Sequence, residues 1–201
     1  MVACSGSHNA SRRVSDDTRK SLIKFCNSCG AKVSHRVPEG DSLERAVCDA
    51  CGIVHYQNPK IVVGCLPTLG ERILMCRRAI EPRYGLWTLP AGFMENNESA
   101  SEGAAREALE EANARVEIED LYTVFSIPYI SQVYMMFRAK LLDPQVSPGL
   151  ESLEVKLVTE DEIPWDQLAF AMVKRTLEHF LEDRRRGTFT TRFGDIRPPH
   201  R

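Results

Sequence analysis

The amino-acid sequence predicts an α+β protein, in which a mixed sheet lies between two helices and follows a small cysteine-rich domain. Three observations lead to this prediction. Two Cys-x-x-Cys pairs lie in the first third of the chain, a series of β-rich runs follows them, and two stretches with helical periodicity interrupt and end that series. The length of 201 residues suits one domain of ordinary size with a small one attached.

Composition and charge exclude several classes of protein. Hydrophobic residues make up 43% and charged residues 27%, as in a soluble globular chain. Lys and Arg total 26 against 28 Asp and Glu, a balance that argues against general binding to polyanions. We find no apolar run of about 18 residues and no apolar region near the N-terminus, so we expect neither a membrane span nor a secretory signal. These features favour a cytoplasmic protein without membrane contact.

The chain divides into four predicted segments. Residues 1–21 are polar without a hydrophobic period and are expected to form a flexible tail. Residues 22–58 carry the cysteine pairs, and residues 59–185 form the main domain, which begins after the turn signal Asn58-Pro59. Residues 186–201 form a basic C-terminal tail that we expect to be irregular.

Alternating hydrophobicity and turn residues predict the elements of the main domain. The predicted strands are residues 60–68, 72–77, 116–125, 132–141 and 153–158, and the predicted helices are residues 99–112 and 169–183. Ser99 and Glu102 have the spacing of a capping box, and Asn113 tolerates the left-handed conformation that ends many helices. Cys65 and Cys76 lie in apolar strands, where we interpret them as buried small side chains rather than nucleophiles.

The four paired cysteines predict a structural zinc site. Two Cys-x-x-Cys turns about twenty residues apart supply four thiolates with tetrahedral geometry, and the glycine after each second cysteine suits a turn that needs positive φ. Redox dithiols are the alternative interpretation. A site closed by four protein ligands leaves no open position for chemistry, so its predicted role is to fold a zinc ribbon that is short of aliphatic residues. The predicted ligands are Cys26, Cys29, Cys48 and Cys51.

The helix predicted at residues 99–112 carries three glutamates on one side. At about 100° per residue, its apolar side chains form a stripe and the glutamates lie opposite. The stripe comprises Ala105, Ala108, Leu109 and Ala112, and the glutamates are Glu107, Glu110 and Glu111. A solvated helix face is the alternative, but such a face normally includes lysines, and here Arg106 is the sole cation. Carboxylates without counter-charges suit Mg²⁺ or Mn²⁺ and hence metal-assisted attack on a phosphate.

These acidic residues belong to a longer pattern that resembles the Nudix box. Gly92 is followed after five residues by Glu98, and seven residues later come Arg106-Glu107, two further residues and Glu110-Glu111. Several separated positions at fixed spacing make this pattern highly specific. The sequence departs from the box, without changing a metal ligand, at Ala108, Asn113 and Ala114.

The resemblance implies a Nudix α/β/α sandwich and the hydrolysis of a nucleoside diphosphate linked to another moiety. The metal-binding groups that it implies are the carbonyl of Ala91 and the carboxylates of Glu107, Glu110 and Glu111. It also implies that Arg106 orients these glutamates and that Glu98 supports the helix through an ion pair. A further acid usually comes from beyond the box. We favour Glu151 over Glu154 as this metal ligand or base, the alternative being a solvent-exposed loop charge.

The combination of zinc ribbon and Nudix box narrows the expected substrate. Residues 56–65, 85–92, 148–154 and 161–170 resemble the FAD/ADP-ribose pyrophosphatases of plant chloroplasts and their bacterial relatives. That resemblance implies FAD or ADP-ribose as the nucleotide substrate, AMP as a product, and a homodimer. NADH pyrophosphatases share the architecture and are the alternative, but residues 125–134 lack their Ser-Gln-Pro-Trp-Pro-Phe-Pro stretch.

Other interpretations of the same residues stay open. A nucleic-acid-binding zinc ribbon is disfavoured because the ribbon contains several acids and lacks a basic stripe with interleaved aromatics. A catalytically silent ligand sensor is disfavoured because the box glutamates are all present. Phe125, Tyr129 and Tyr134 are candidates for stacking on adenine or flavin, with the alternative that they belong to the sheet and core.

Overall fold

The computed structural model of this protein describes residues 23–198, so the flexible tail predicted at residues 1–21 lies outside the described residues. The chain divides into two compact units, Met1–Asn58 and Pro59–Arg201. Between residues 23 and 198, no helix is both long enough and apolar enough to cross a membrane.

The first unit contains a three-stranded antiparallel sheet. Strand β1 (Val33–Arg36) pairs with β2 (Arg45–Cys48), and β2 pairs with β3 (Val54–His55). In the described part of this unit, the buried hydrophobic residues other than cysteines are Ala46 and Val47. So small a core removes little apolar surface from water, and the unit therefore needs another source of stability.

The second unit contains one mixed sheet of eight strands. In chain order these are β4 (Lys60–Leu69), β5 (Arg72–Arg78), β6 (Trp87–Thr88), β7 (Ala91–Phe93), β8 (Val116–Ile127), β9 (Gln132–Leu141), β10 (Ser152–Val158) and β11 (Arg192–Asp195). Their order across the sheet is β10-β5-β4-β9-β8-β11, with β6 beside β5 and β7 beside β4. The β4–β9 and β8–β11 pairs are parallel, and the other pairs are antiparallel.

Two helices cover opposite faces of this sheet. Strand side chains alternate between the faces, so that Cys65 joins the core that contains alanines of α1 (Ala100–Ala112), whereas Leu66 joins the core that contains residues of α2 (Ala171–Arg186). The predicted α/β/α sandwich with a mixed sheet is therefore confirmed.

Both ends of α1 have the predicted caps. The Ser99 hydroxyl accepts a hydrogen bond from the Glu102 N–H at 3.3 Å, and the Glu102 carboxylate accepts one from the Ser99 N–H at 2.8 Å. Asn113 ends the helix in the left-handed region, with φ 48°. The capping box and the asparagine cap are confirmed, and they fix where the box helix begins and ends.

The predicted apolar stripe of α1 is wrong at Leu109, which is 49% exposed. The buried face consists instead of Gly103 and three alanines together with two glutamates. Its members are Gly103, Ala104, Glu107, Ala108, Glu111 and Ala112. The flank that carries the glutamates is covered by β7 and by the loop at residues 147–149. The prediction that the glutamates lie opposite the apolar stripe is therefore wrong for Glu107 and Glu111, which share the buried face with the alanines.

The second helix is displaced slightly from its prediction. It spans Ala171–Arg186 rather than residues 169–183. Three arginines in its last turn stabilise the negative end of the helix dipole, and Gly187 ends it in the left-handed region with φ 69°. Together these features carry the helix three residues past the predicted end at 183.

The prediction of an irregular C-terminal tail is wrong for the last strand. Arg192–Asp195 forms β11 and pairs in parallel with β8. Asp183 of α2, which is 2% exposed, accepts hydrogen bonds from the Tyr122 hydroxyl at 2.9 Å and from the guanidinium of Arg192. No periodic pattern predicts this strand, because it is short and its pairing partner lies far away in the chain.

The two remaining cysteines of the main unit are buried as predicted. Cys65 and Cys76 are 0% and 1% exposed, and the Cys65 thiol donates to the Ala104 carbonyl at 3.6 Å. Burial raises the pKa of both thiols well above the ordinary value. Both side chains therefore act as small core residues and not as nucleophiles.

Candidate active site

The four paired cysteines lie close together in the first unit. The Sγ–Sγ distances are 3.7 Å for Cys26–Cys51, 3.5 Å for Cys29–Cys48 and 3.6 Å for Cys29–Cys51. Tetrahedral zinc with Zn–S bonds of about 2.3 Å places its sulfur ligands about 3.8 Å apart, so the donor set fits zinc. Within residues 23–198, this is the one group of three or more His, Cys, Asp or Glu ligand atoms that all lie within 4.8 Å of one another.

The backbone of the ribbon supports thiolates at these positions. The N–H groups of Ser28 and Cys51 point at the Cys26 and Cys48 sulfurs, each at 3.4 Å. The Cys51 N–H is the main cause that lowers the pKa of Cys48 to about 6. Gly30 and Gly52 follow the second cysteine of each pair with φ 73° and 75°, which confirms the predicted left-handed turns.

In the second unit, Arg106 joins the acidic residues of the box. Its Nη1 donates to Glu107 at 2.7 Å and to Glu110 at 2.9 Å, and its Nε and Nη2 donate to Glu98 at 3.0 and 2.8 Å. Nη2 also donates to the carbonyl of Phe93 at 3.1 Å. The guanidinium thus links β7 to α1 and fixes the direction of two box carboxylates.

Glu98 is held as a carboxylate by hydrogen bonds. The guanidinium of Arg106 is the main cause that lowers the pKa of Glu98 to about 2, and the Glu95 N–H, which donates at 2.7 Å, is the next. The Glu98 carboxylate also packs against Gly103, where a Cβ would lie 2.6 Å from its Oε1. This ion pair therefore ties the loop before α1 to the helix.

Glu107 packs against the glycine that begins the box. A Cβ on Gly92 would lie 2.3 Å from Oε1 of Glu107, so any larger residue there would displace the carboxylate. Glu107 is 8% exposed. Burial raises the pKa of Glu107 above the ordinary value, although Arg106 opposes this shift. Gly92 is therefore required by the close approach of the Glu107 side chain.

Glu111 is the most deeply buried carboxylate of the set. It is 6% exposed, and its Oε2 has no hydrogen-bond partner in the described part of the chain. Burial is the main cause that raises its pKa to about 8, the charge of Glu107 adds to the shift, and the Ala91 N–H, which donates to Glu111, lowers it. A buried carboxylate oxygen without a donor is costly unless a cation or a proton occupies the position beside it.

The loop after β9 brings Glu151 toward these glutamates. The N–H of Ser147 donates to the Ala112 carbonyl and that of Gly149 to the Glu111 carbonyl, both at 3.0 Å, so the loop closes the C-terminal end of α1. The charge of Glu151 contributes to the raised pKa of Glu107 and of Glu111. The exposed side chain of Glu151 is therefore close to both buried carboxylates.

Glu154 lies in a different environment. Its carboxylate contacts Lys156 Nζ at 2.8 Å and Arg77 Nη1 at 3.7 Å. The hydrogen bond from Lys156 is the main cause that lowers the pKa of Glu154. Two cations already neutralise this residue, so Glu151 is the better placed of the two candidates.

The three aromatic residues that are candidates for stacking on the substrate differ in burial. Phe125 is 2% exposed and packs within the core beneath α2, so the prediction that it stacks on substrate is wrong and the core alternative holds. Tyr134 is half-buried against the same core, and Tyr129 is 45% exposed in a short 3-10 turn, Pro128–Ile130. Tyr129 and Tyr134 stay predictions as substrate-binding residues.

Sequence reasoning missed two residues of this region. A Cβ on Gly149 would lie 1.7 Å from the Glu110 carbonyl oxygen, so glycine is required where the loop meets the helix. Arg78, at the end of β5, acts on Glu111 through its charge. The Pro148-Gly149 pair was a detectable turn signal, whereas a single arginine at a strand end carries no signal of its own.

The two buried glutamates, one of which has an oxygen without a hydrogen-bond partner in the described part of the chain, offer oxygen ligands that suit a hard divalent cation such as Mg²⁺ or Mn²⁺. Comparison with known proteins agrees with this class. The NUDIX domain model matches residues 58–181, and the Nudix N-terminal zinc-ribbon model matches residues 24–57. The chain belongs to the Nudix hydrolase family, whose members use Mg²⁺ or Mn²⁺, and it carries the zinc ribbon of that family.

Curated relatives are similar over part of their length. An NAD-capped RNA hydrolase NudC from Stutzerimonas stutzeri is 30% identical over 136 residues, which cover 65% of this chain and 46% of the relative. A human mitochondrial NAD(P)H pyrophosphatase is 26% identical over 155 residues, covering 76% of this chain and 42% of the relative. The chain thus spans less than half the length of these two proteins.

Solved structures extend the comparison. A NUDIX hydrolase from Nitrosomonas europaea is 56% identical with a TM-score of 0.84, and the alignment covers 87% of this chain and 99% of that one. An ADP-ribose pyrophosphatase from Streptococcus suis is 22% identical with a TM-score of 0.54, covering 68% of this chain and 99% of that one. The second similarity supports the fold alone.

Proposed function

We propose that this protein is a Mg²⁺- or Mn²⁺-dependent pyrophosphatase that cleaves the diphosphate of an ADP-linked nucleotide and releases AMP. The observation that carries this proposal is the pair of buried carboxylates, Glu107 and Glu111, one of which has an oxygen without a hydrogen-bond partner among residues 23–198. Membership of the Nudix family supports it, because the donor set coincides with the box that defines the family.

The proposed role of each side chain follows from its contacts. Glu107, Glu110, Glu111 and the carbonyl of Ala91 would hold the divalent ions, with Glu151 as a further ligand or as the base. Bound divalent ions would offset the charge that develops on the diphosphate oxygens and activate a water molecule. Arg106 holds Glu107 and Glu110 in place, and Glu98 in turn holds Arg106. A base at position 151 would accept the proton of the attacking water.

The candidate substrates differ in the group that is linked to ADP. The curated relatives named above act on NAD-capped RNA and on NAD(P)H by their names, which favours NAD(H) for this chain. ADP-ribose or FAD is favoured by the region between β8 and β9. There Pro128–Ile130 forms a short 3-10 turn, and residues 125–134 contain one proline instead of the proline-rich stretch expected of NADH pyrophosphatases.

The test is AMP release measured side by side for NADH, FAD, ADP-ribose, a dinucleoside polyphosphate and a short RNA with a 5′ NAD cap. Each is assayed with Mg²⁺ and then with Mn²⁺. We expect AMP from at least one substrate and none with EDTA. A preference for NADH or the capped RNA would place this chain functionally with its curated relatives. Absence of AMP from every substrate would contradict the proposed function.

We also propose that the protein is a homodimer and that its zinc ribbon is not a nucleic-acid-binding module. The dimer is proposed from the resemblance to dimeric pyrophosphatases. Light scattering after size-exclusion chromatography tests it, with about twice the 22.7 kDa chain mass expected.

The proposal on nucleic acid is tested with an uncapped RNA of the same sequence as the capped substrate. Binding of the uncapped RNA with the affinity of the capped RNA would contradict it.

A further inference from the structure

We propose that Arg78 binds a phosphate of the substrate and so determines the enzyme's affinity for diphosphates. This inference rests on the proposed function and adds a residue outside the Nudix box to it. Arg78 is the last residue of β5, and no box pattern or cysteine motif includes it.

The position of Arg78 is set by contacts around its backbone and its Nε. Its N–H donates to the Leu86 carbonyl, and its carbonyl accepts from the Gly85 N–H, both at 2.9 Å. Nε donates to the Pro82 carbonyl at 3.0 Å. The guanidinium carbon lies 5.1 Å from the centre of the Phe170 ring, at the start of α2. The side chain is therefore held on two sides.

The outer nitrogens of this guanidinium are free. In the part of the chain that the structure describes, neither Nη of Arg78 has a hydrogen-bond partner, and no carboxylate lies within 4.0 Å of it. The neighbouring Arg77 differs, because its Nη1 faces Glu154 at 3.7 Å and its Nε donates to the Gly85 carbonyl at 2.9 Å. Arg78 thus keeps a fork of donors that matches the geometry of a phosphate.

Arg78 also lies beside the candidate metal ligands. The next residue, Ala79, donates its N–H to the Glu151 carbonyl at 2.8 Å, which joins the end of β5 to the loop that carries Glu151. The end of β5 and this loop are therefore adjacent, and the free donors of Arg78 lie near the candidate ligand Glu151 without being paired to it, where a diphosphate could contact both.

The inference is tested by binding of imidodiphosphate, a diphosphate whose P–N–P bridge resists hydrolysis, to the whole protein in the presence of Mg²⁺. Isothermal titration compares the wild type with Arg78→Gln, Arg78→Lys and the control Arg77→Gln. Charge-assisted hydrogen bonds of about 1.5–3 kcal/mol predict roughly 10- to 150-fold weaker binding for Arg78→Gln. Arg78→Lys should be weakened less because it keeps the charge, and Arg77→Gln should match the wild type.

Two outcomes overturn the inference: no binding of imidodiphosphate to the wild type, or binding by both Arg78 variants with wild-type affinity. Thermal unfolding shows whether each variant folds. If Arg78→Gln does not fold, the affinity of Arg78→Lys for imidodiphosphate decides the test. In turnover assays, Arg78→Gln should raise KM more than it lowers kcat. Wild type that binds imidodiphosphate with Arg78-dependent affinity, yet releases no AMP, would contradict the proposed function and leave the Arg78 inference standing.

Discussion

At the scale of single residues, the candidate site depends on carboxylates that are kept out of water. Glu107 and Glu111 are 8% and 6% exposed, although they lie on a helix whose other acids face solvent. Burial of like charges raises the pKa of both side chains. Two ionised carboxylates at these positions would repel each other, and a bound divalent cation would relieve this repulsion.

Substitution of Glu107 by Gln should separate catalysis from folding. The amide keeps the shape of the side chain beside Gly92 but removes the charge needed to bind a cation, so we expect Mg²⁺-dependent turnover to fall by orders of magnitude, roughly 10²-fold or more. The thermal midpoint should change little. Glu117→Gln, at an exposed position of β8, is the control and should retain activity. Wild-type turnover in Glu107→Gln would show that the ligands are assigned wrongly.

The raised pKa of Glu111 predicts how stability depends on pH without metal. Its ordinary value is 4.5 and its value in the folded protein is about 8. Between these values the folded state holds a proton that the unfolded state has lost, so the free energy of unfolding should decrease as pH rises through this range. Thermal unfolding in EDTA measures this, with Glu111→Gln as the variant in which the decrease should be smaller. An equal slope in both proteins would exclude Glu111 as its source.

The same proton competes with metal. Because a cation requires the deprotonated carboxylate, the apparent affinity for Mg²⁺ should rise as pH increases toward about 8 and then level off. Titration calorimetry at several pH values measures this dependence. A metal affinity that does not change between about pH 6 and pH 8 would contradict the assignment of Glu111 as a ligand.

The sequence revealed these residue types but not their environment. The spacing of Gly92, Glu98 and the box glutamates identified the candidate metal ligands, because a motif of fixed spacing can be recognised from the sequence alone. Burial of Glu111 depends on β7 and on the loop at residues 147–149, which approach from other parts of the chain. Arg78 was missed for the same reason, since its neighbours Pro82 and Phe170 are assembled only by folding.

At the scale of elements, local signals predicted helix ends better than helix faces. Ser99 with Glu102 and Asn113 fixed α1 to within a residue because capping involves neighbours in sequence. The face assignment failed at Leu109 because it depends on which strand or loop covers the helix. Strand β11 failed for a related reason: its parallel pairing with β8 joins residues about seventy positions apart, as in Arg192 with Thr123.

The ion pair between Asp183 and Arg192 should make β11 a contributor to stability. Replacing Arg192 by Leu leaves a carboxylate that is 2% exposed with the Tyr122 hydroxyl as its remaining side-chain partner, which should cost about 3 kcal/mol. Arg197→Leu is the control, because the Arg197–Asp195 pair is exposed and its loss should change stability by less than about 0.5 kcal/mol. Urea unfolding of both variants compares them. Equal stability would show that β11 is not anchored through Asp183.

At the scale of the whole molecule, the two units differ in what stabilises them. The second unit has two apolar cores, whereas the buried hydrophobic residues described in the first are two cysteines, Ala46 and Val47. Composition alone predicted this contrast, because residues 22–58 are short of aliphatic side chains.

Removal of zinc should therefore unfold the ribbon before the main domain. With a strong chelator we expect loss of structure in residues 22–57 first, because metal binding supplies much of the folding free energy of so small a unit. Hydrogen exchange measured by mass spectrometry follows the two units separately. Heating without chelator, in excess zinc, is the matched condition in which the ribbon should be protected. Simultaneous loss of both units on chelation would mean that the ribbon shares the main core.

The contact between Gly149 and the end of α1 restricts how relatives of this chain can vary. Since a Cβ there would lie 1.7 Å from the Glu110 carbonyl oxygen, a homologous chain with a larger residue at that position must hold its loop farther from the helix. Glu151 follows two residues later, so such a chain would carry its extra acid elsewhere. We therefore expect the presence or absence of this glycine in an alignment to sort relatives by whether they place an acidic residue beside the two buried glutamates.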